Sequence, residues 1–170
     1  DARALIVIVN LERIRAQLLL TTQAVDAGDM EDAFAHSFIS HTTIFPAVKP
    51  LLKDVGQSGR LEAALTDLPL AIKSGQLSPQ EIMAEIESTE AIIDGILARP
   101  EFAADKGMAS QAVVFLLRDA VQSYGLADRI DRENAAGLVQ VAKHRYEQMA
   151  GLLDERRDKE INSFFADLET

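Results

Sequence analysis

Three histidines and the carboxylates near them are the side chains of this sequence best suited to hold a metal ion or carry a proton. There is no cysteine, which removes disulfides, thiolate metal sites and cysteine nucleophiles. His41 lies within an apolar stripe at helical spacing, Phe34, Phe38, Phe45, Val48 and Leu52, so it is expected to be buried. A buried imidazole must find a partner for at least one ring nitrogen. Two readings stand side by side. His41 is a core histidine bonded to a carbonyl freed near Pro46, or it is a ligand or proton acceptor inside a bundle.

His36 precedes His41 by five residues, about 140° around a helix, so a straight helix cannot bring both to one ion. A bend near Pro46 that turned His36 toward His41 would bring two imidazoles and an aspartate together. Asp29, Asp32 and His36 share a face at i, i+3 and i+7, a spacing able to hold a borderline divalent cation. The acidic pair Glu31 and Asp32 also suits the positive first turn of a helix. His144 and Glu147 are three apart and form a second candidate pair, pointing away from the face of Ala142, Tyr146 and Met149. Glu85, Glu87, Glu90 and Asp94 lie close together in sequence, and the last three form an acidic stripe. Clustered carboxylates bind hard cations through oxygen, and such a stripe is equally the solvated face of a helix. The inward, repeated Glu-x-x-His of a di-iron bundle is absent. So are a glycine-rich phosphate loop, H-E-x-x-H and a nucleophile elbow. The expectation is a protein that is not an enzyme.

These residues ride on helices. The first is expected over about 4–25, stopped by Gly28, which can take the left-handed terminating conformation. Asp29 caps the second, and Pro46 and Pro50 interrupt it, predicting a kink between His41 and Phe45. Residues 56–59 form a loop. A third helix runs over about 61–73, with Leu61, Leu65, Leu68 and Ile72 on one face. Ser78-Pro79-Gln80-Glu81 is a capping box with proline in the first turn; it starts a fourth helix carrying Ile82, Ile86, Ile93 and Leu97. The fifth, over about 108–124, contains the run 112–117, apolar all round, and is expected to be the most buried. A long last helix over about 132–168 turns Leu138, Ala142, Tyr146, Met149 and Leu153 inward, continued by Ile161, Phe164 and Leu168. Its charged stretch 154–160 is expected to be solvated.

At 170 residues the chain is long enough for one domain with a real core. Aromatics are 5% against 48% apolar residues, so that core is aliphatic. A net charge of −10 argues against nucleic acid and against an anionic membrane surface as partners. The early run Leu5-Ile6-Val7-Ile8-Val9 is too short to span a bilayer and lacks a cleavage-site pattern. No other segment approaches a span, so any leader or anchor is expected to lie outside these residues.

Gln23-Ala24-Val25-Asp26-Ala27-Gly28-Asp29, followed by Ala33, Ala35 and Phe45, resembles the alanine, glycine, acidic, small, small, aromatic hairpin of the extracytoplasmic helical domains attached to high-affinity iron permeases. Residues 76–81 resemble the next helix start of that family, and residues 133–153 a second hairpin of the same kind. More distantly the chain is similar to the imelysin group of exported helical proteins. The imelysin-type signature has glycine, histidine two on and glutamate three further. Here it reads Ala142-Lys143-His144-Arg145-Tyr146-Glu147, with alanine for glycine and His144 outward by helix phase. The permease's glutamate-rich membrane helix is absent, so the resemblance implies an accessory domain rather than a transporter.

The expected fold is all-α: a single-domain antiparallel bundle over residues 1–170, of five or six helices with the second kinked by proline. The expected function is an extracytoplasmic domain, periplasmic or at the cell surface, that binds or handles a divalent or ferric ion in iron-type uptake. Its metal candidates are His36, His41, Asp29, Asp32, His144 and Glu147. Expected partners are a membrane permease or another protein, including a second copy of the chain, without nucleic acid or direct membrane insertion. The alternative is a non-enzymatic sensory or structural bundle that binds a partner protein or a small apolar ligand.

Overall fold

In the computed structural model, residues 2–103, 105–126, 128–149 and 155–168 are described, and among them there are helices and no strands. The chain divides into two compact units, residues 1–103 and 104–170.

The first unit is organised around α1 (Ala2–Ala27). Val7, Ile8, Leu11, Ile14 and Leu18 are fully enclosed. Buried positions lie on every side of this helix, because it packs against α2 (Met30–Ile39), α3 (Phe45–Val48) and α5 (Pro79–Leu97). α1 ends in a Schellman turn. Gly28 has φ 75°, its N–H donates to Val25 O (3.0 Å), and Asp29 N–H donates to Ala24 O (2.8 Å). Asp29 then accepts from Asp32 N–H (3.0 Å) as the cap of α2, so two residues fold α1 and α2 into a hairpin.

Residues 30–52 do not form a single bent helix. α2 passes into a π-helical turn, Ser40–Ile44, then the four-residue α3 and a 3-10 turn, Lys49–Leu52. Pro46 and Pro50 each stand at the start of one of these short pieces, and a proline, with no N–H to donate, favours a change in the helical hydrogen-bond pattern there. This division, and a break in the last expected helix, give more helical segments than five or six.

α4 (Ser58–Ser74) begins inside the expected 56–59 loop and packs against α2 and α5. Gly75, at φ 64°, stops it. The capping box of α5 is complete. Glu81 N–H donates to Ser78 Oγ (3.3 Å), and Ser78 N–H donates to Glu81 Oε2 (2.7 Å). That backbone donor, with the Ser78 hydroxyl, holds the Glu81 carboxyl below its ordinary pKa. Ser78→Ala should cost about 1 kcal/mol, read as a lower denaturant midpoint at unchanged m-value. Because the folded-state pKa of Glu81 is depressed, its contribution is present above the unfolded pKa and disappears as pH falls through the folded one.

In the second unit, α6 (Lys106–Tyr124) pairs along its length with α7 (Arg129–Gln148). Asp105 and Asp128 cap them. Their contact is rich in small residues, with Ala109, Ala112 and Ala120 on one helix and Ala135, Gly137 and Ala142 on the other. Tyr146 of α7 meets the buried Phe165 of α8 (Glu155–Leu168), ring centroids 5.9 Å apart.

The structure corrects two expectations about the later helices. α6 is not the most enclosed helix. Val114, Phe115, Val121 and Tyr124 are exposed, Val121 by 70%, because α6 buries one face against α7 and leaves the other bare. The continuous helix over 132–168 is replaced by α7 and α8. Tyr146 and Met149 are buried as expected. Leu153 lies outside the described residues, as do the side chains of Phe164 and Leu168. Among the described residues, no helix is long and apolar enough to cross a membrane.

Candidate functional site

The polar groups of the first unit gather where α1 meets α2. On α1, positions 10, 13, 17 and 21 follow one another by three and four residues and so share a face. Asn10, Gln17 and Thr21 are buried there. Arg13 donates to Asn10 Oδ1 (3.0 Å), and Thr21 Oγ1 donates to Gln17 O (2.8 Å). Gln17 supplies the cross-helix contact. His36 Nδ1 lies 3.0 Å from Gln17 Oε1, and because a carbonyl oxygen only accepts, the imidazole proton sits on Nδ1. His36 is 2% exposed. Ser37 and Ser40, also buried, complete the α2 side of this polar seam.

The sequence stripe had placed His41, not His36, in the core, and this is corrected. His41 is half-buried, and Phe38 of the same stripe is 45% exposed. The cause is the π-helical turn. Phe45 N–H donates to Ser40 O, five residues back rather than four. After the turn Phe45, Val48 and Leu52 face inward; before it Ala33, His36 and Ser37 do, with Ser40 at its first residue. Running the α-helical period backwards from Phe45 lands one residue off, on His41, Phe38 and Phe34. Those aromatics stack on each other instead (5.4 Å), with Lys73 of α4 5.3 Å above Phe34. His41 turns to α4. Thr66 Oγ1 donates its proton to Glu62 O (2.8 Å), so His41 Nδ1 donates to Thr66 Oγ1 (3.3 Å).

The candidate metal ligands are therefore placed apart. His36 is directed to α1 and His41 to α4. Asp29 is exposed and caps α2, while Asp32 is half-buried one turn before His36. His144 and Glu147 are both exposed on α7, and Gln148 Nε2 donates to His144 Nε2 (3.0 Å). Among the described residues, no three His, Cys, Asp or Glu side chains are grouped so as to hold an ion.

The acidic stripe of α5 is tied to α1 rather than left wholly to solvent. Arg15 donates to the Asp94 carboxylate, and its other terminal nitrogen lies 3.6 Å from the buried Glu12. Glu90 is half-buried beside them. Burial raises its pKa above the ordinary carboxylate value; Arg15 opposes the rise, and Asp94 and Glu87 add to it. A folded-state pKa raised in this way means that ionised Glu90 costs stability above that pKa, and that the cost vanishes below the unfolded one. Glu90→Gln should therefore raise the neutral-pH melting temperature by about 1–2 °C, a small effect because the site is only half-buried. The difference should close on acidification toward pH 4 in a melting series.

Sequence reasoning missed Gln17, Thr21, Ser37 and Ser40. Their signal was weak: polar residues in an otherwise apolar helix, and an inward face 33, 36, 37, 40 out of step with 45, 48, 52. No family model matches this chain, and neither a curated protein nor a solved structure matches it.

Proposed function

We propose that the chain is a non-enzymatic sensory or structural helix bundle that works by binding, and that its responsive element is the α1–α2 seam with the π-helical turn behind it. One observation carries this reading: a buried imidazole and a buried amide, 3.0 Å apart, stand one turn before a break in helical register. Two aliphatic side chains would fill the same space at no desolvation cost. A satisfied polar pair instead fixes which groups face each other. A π-helical turn carries one residue more than the α-helix it interrupts, and such turns recur at functional sites. A partner that favours one packing of this segment over another would shift its population. Native-state hydrogen exchange tests the reading. Amides of 40–45 should exchange through a sub-global opening at least about tenfold faster than those of 7–18. Equal protection across both segments would contradict it.

A second reading has its own support. An extracytoplasmic domain that handles a metal ion in iron-type uptake, beside a membrane permease, would use His36 as its central ligand. Ligating imidazoles are oriented by a partner on the other ring nitrogen, and Gln17 is such a partner for Nδ1. Metal-stripped protein would be melted with excess iron, copper, zinc or manganese. A rise for one ion that grows with concentration, is lost in His36→Gln and is kept in His144→Gln supports it. No shift for any ion removes it.

A further inference from the structure

Four serine and threonine residues are buried among the described residues: Thr21, Ser37, Ser40 and Thr89. Three fold back on their own helix. Thr21 Oγ1 donates to Gln17 O (2.8 Å), Ser37 Oγ to Phe34 O (2.9 Å) and Thr89 Oγ1 to Glu85 O (2.8 Å). Ser40 does not. Its backbone is satisfied, with N–H donating to His36 O and its carbonyl accepting from Phe45 N–H. Its Oγ has no hydrogen-bond partner, although the residue is fully enclosed. A hydroxyl buried without a partner costs about 1–3 kcal/mol, and such a hydroxyl marks a place for a bound polar guest.

We propose that Ser40 Oγ anchors one internal water molecule, held where the π-helical turn packs against α1 and α4. The guest is small because Ser40 is sealed from solvent. It both donates and accepts, because a serine hydroxyl can do either. It is neutral, because a buried ion would need a counter-charge beside it. Buried waters of this kind typically make about three hydrogen bonds to groups the protein leaves unpaired. Inserted water is also a known companion of breaks in helical hydrogen bonding. The inference rests on Ser40 alone and stands whether or not the turn is responsive.

The sign of a mutational effect tests it. Deleting an unpaired buried hydroxyl relieves a burden, whereas deleting the anchor of a bound water removes real hydrogen bonds. Ser40→Ala in the full chain should lower the melting temperature by about 2–6 °C. An unchanged or higher melting temperature overturns the proposal. A second measurement guards against a fall with another cause. Cross-relaxation in nitrogen-15-labelled protein should connect a long-lived water to the amide of Ser40 or His41, and Ser40→Ala should abolish it. Absence of that signal in the parent protein overturns the proposal even where the variant melts lower.

Discussion

Leu11→Ala should cost about 2–5 kcal/mol of folding stability, while Val121→Ala should change stability by less than about 0.5 kcal/mol. Both remove aliphatic carbon from a helix, and reading α6 as the most buried helix would make its residue the more damaging loss. The structure reverses that order. Leu11 is fully enclosed in α1, and Val121 is 70% exposed on α6. Truncating Leu11 loses the transfer free energy of the deleted carbons and leaves a void that α2, α3 and α5 can only partly close. For a chain of this length the loss corresponds to a fall in melting temperature of roughly 5–15 °C. Equal effects from the two substitutions would mean that α1 is not the centre of its unit.

The second large effect concerns the seam. Gln17→Leu takes away the oxygen that His36 Nδ1 donates to and should cost about 1–3 kcal/mol, the penalty of a buried donor deprived of an acceptor. His36→Leu strands the Gln17 oxygen in the same way. The double variant strands neither side of this contact, and leucine fits an otherwise aliphatic core. It should therefore be more stable than the sum of the single losses allows, with a coupling of about 0.5–3 kcal/mol. Strict additivity in a denaturant double-mutant cycle would show that the two side chains do not act as a pair.

The helical class, the stop at Gly28, the cap at Asp29 and the start at Ser78 were all readable, because each depends on local backbone chemistry carried by one to four residues. The identity of the buried histidine was not. A single α-helical period through Phe34, Phe38, His41 and Phe45 is self-consistent on paper, and only the extra residue in the π-helical turn moves the inward face onto His36 and Ser40. Pro46 marks an interruption near 41–45, but no side chain announces that it takes the form of an extra residue in the turn, because that depends on how this segment packs on α1 and α4. Likewise 112–117 reads as enclosed because its residues are apolar. Whether a helix is covered on one side or on all of them is decided by neighbours distant in sequence. The links from Arg15 to Asp94 and from His36 to Gln17 are of the same long-range kind.

The segment 40–45 is where the proposed function is most exposed to test. Thr43 is exposed within the π-helical turn, and deleting it returns Ser40 and Phe45 to an ordinary α-helical separation of four. Native-state hydrogen exchange on the parent and the Thr43-deleted chain is the decisive comparison. The expected result is a sub-global opening of 40–45 in the parent that the deletion suppresses, with the protection of α1 retained. Equal protection of 40–45 and α1 in the parent, or an opening that survives the deletion unchanged, would contradict a responsive element built on this turn.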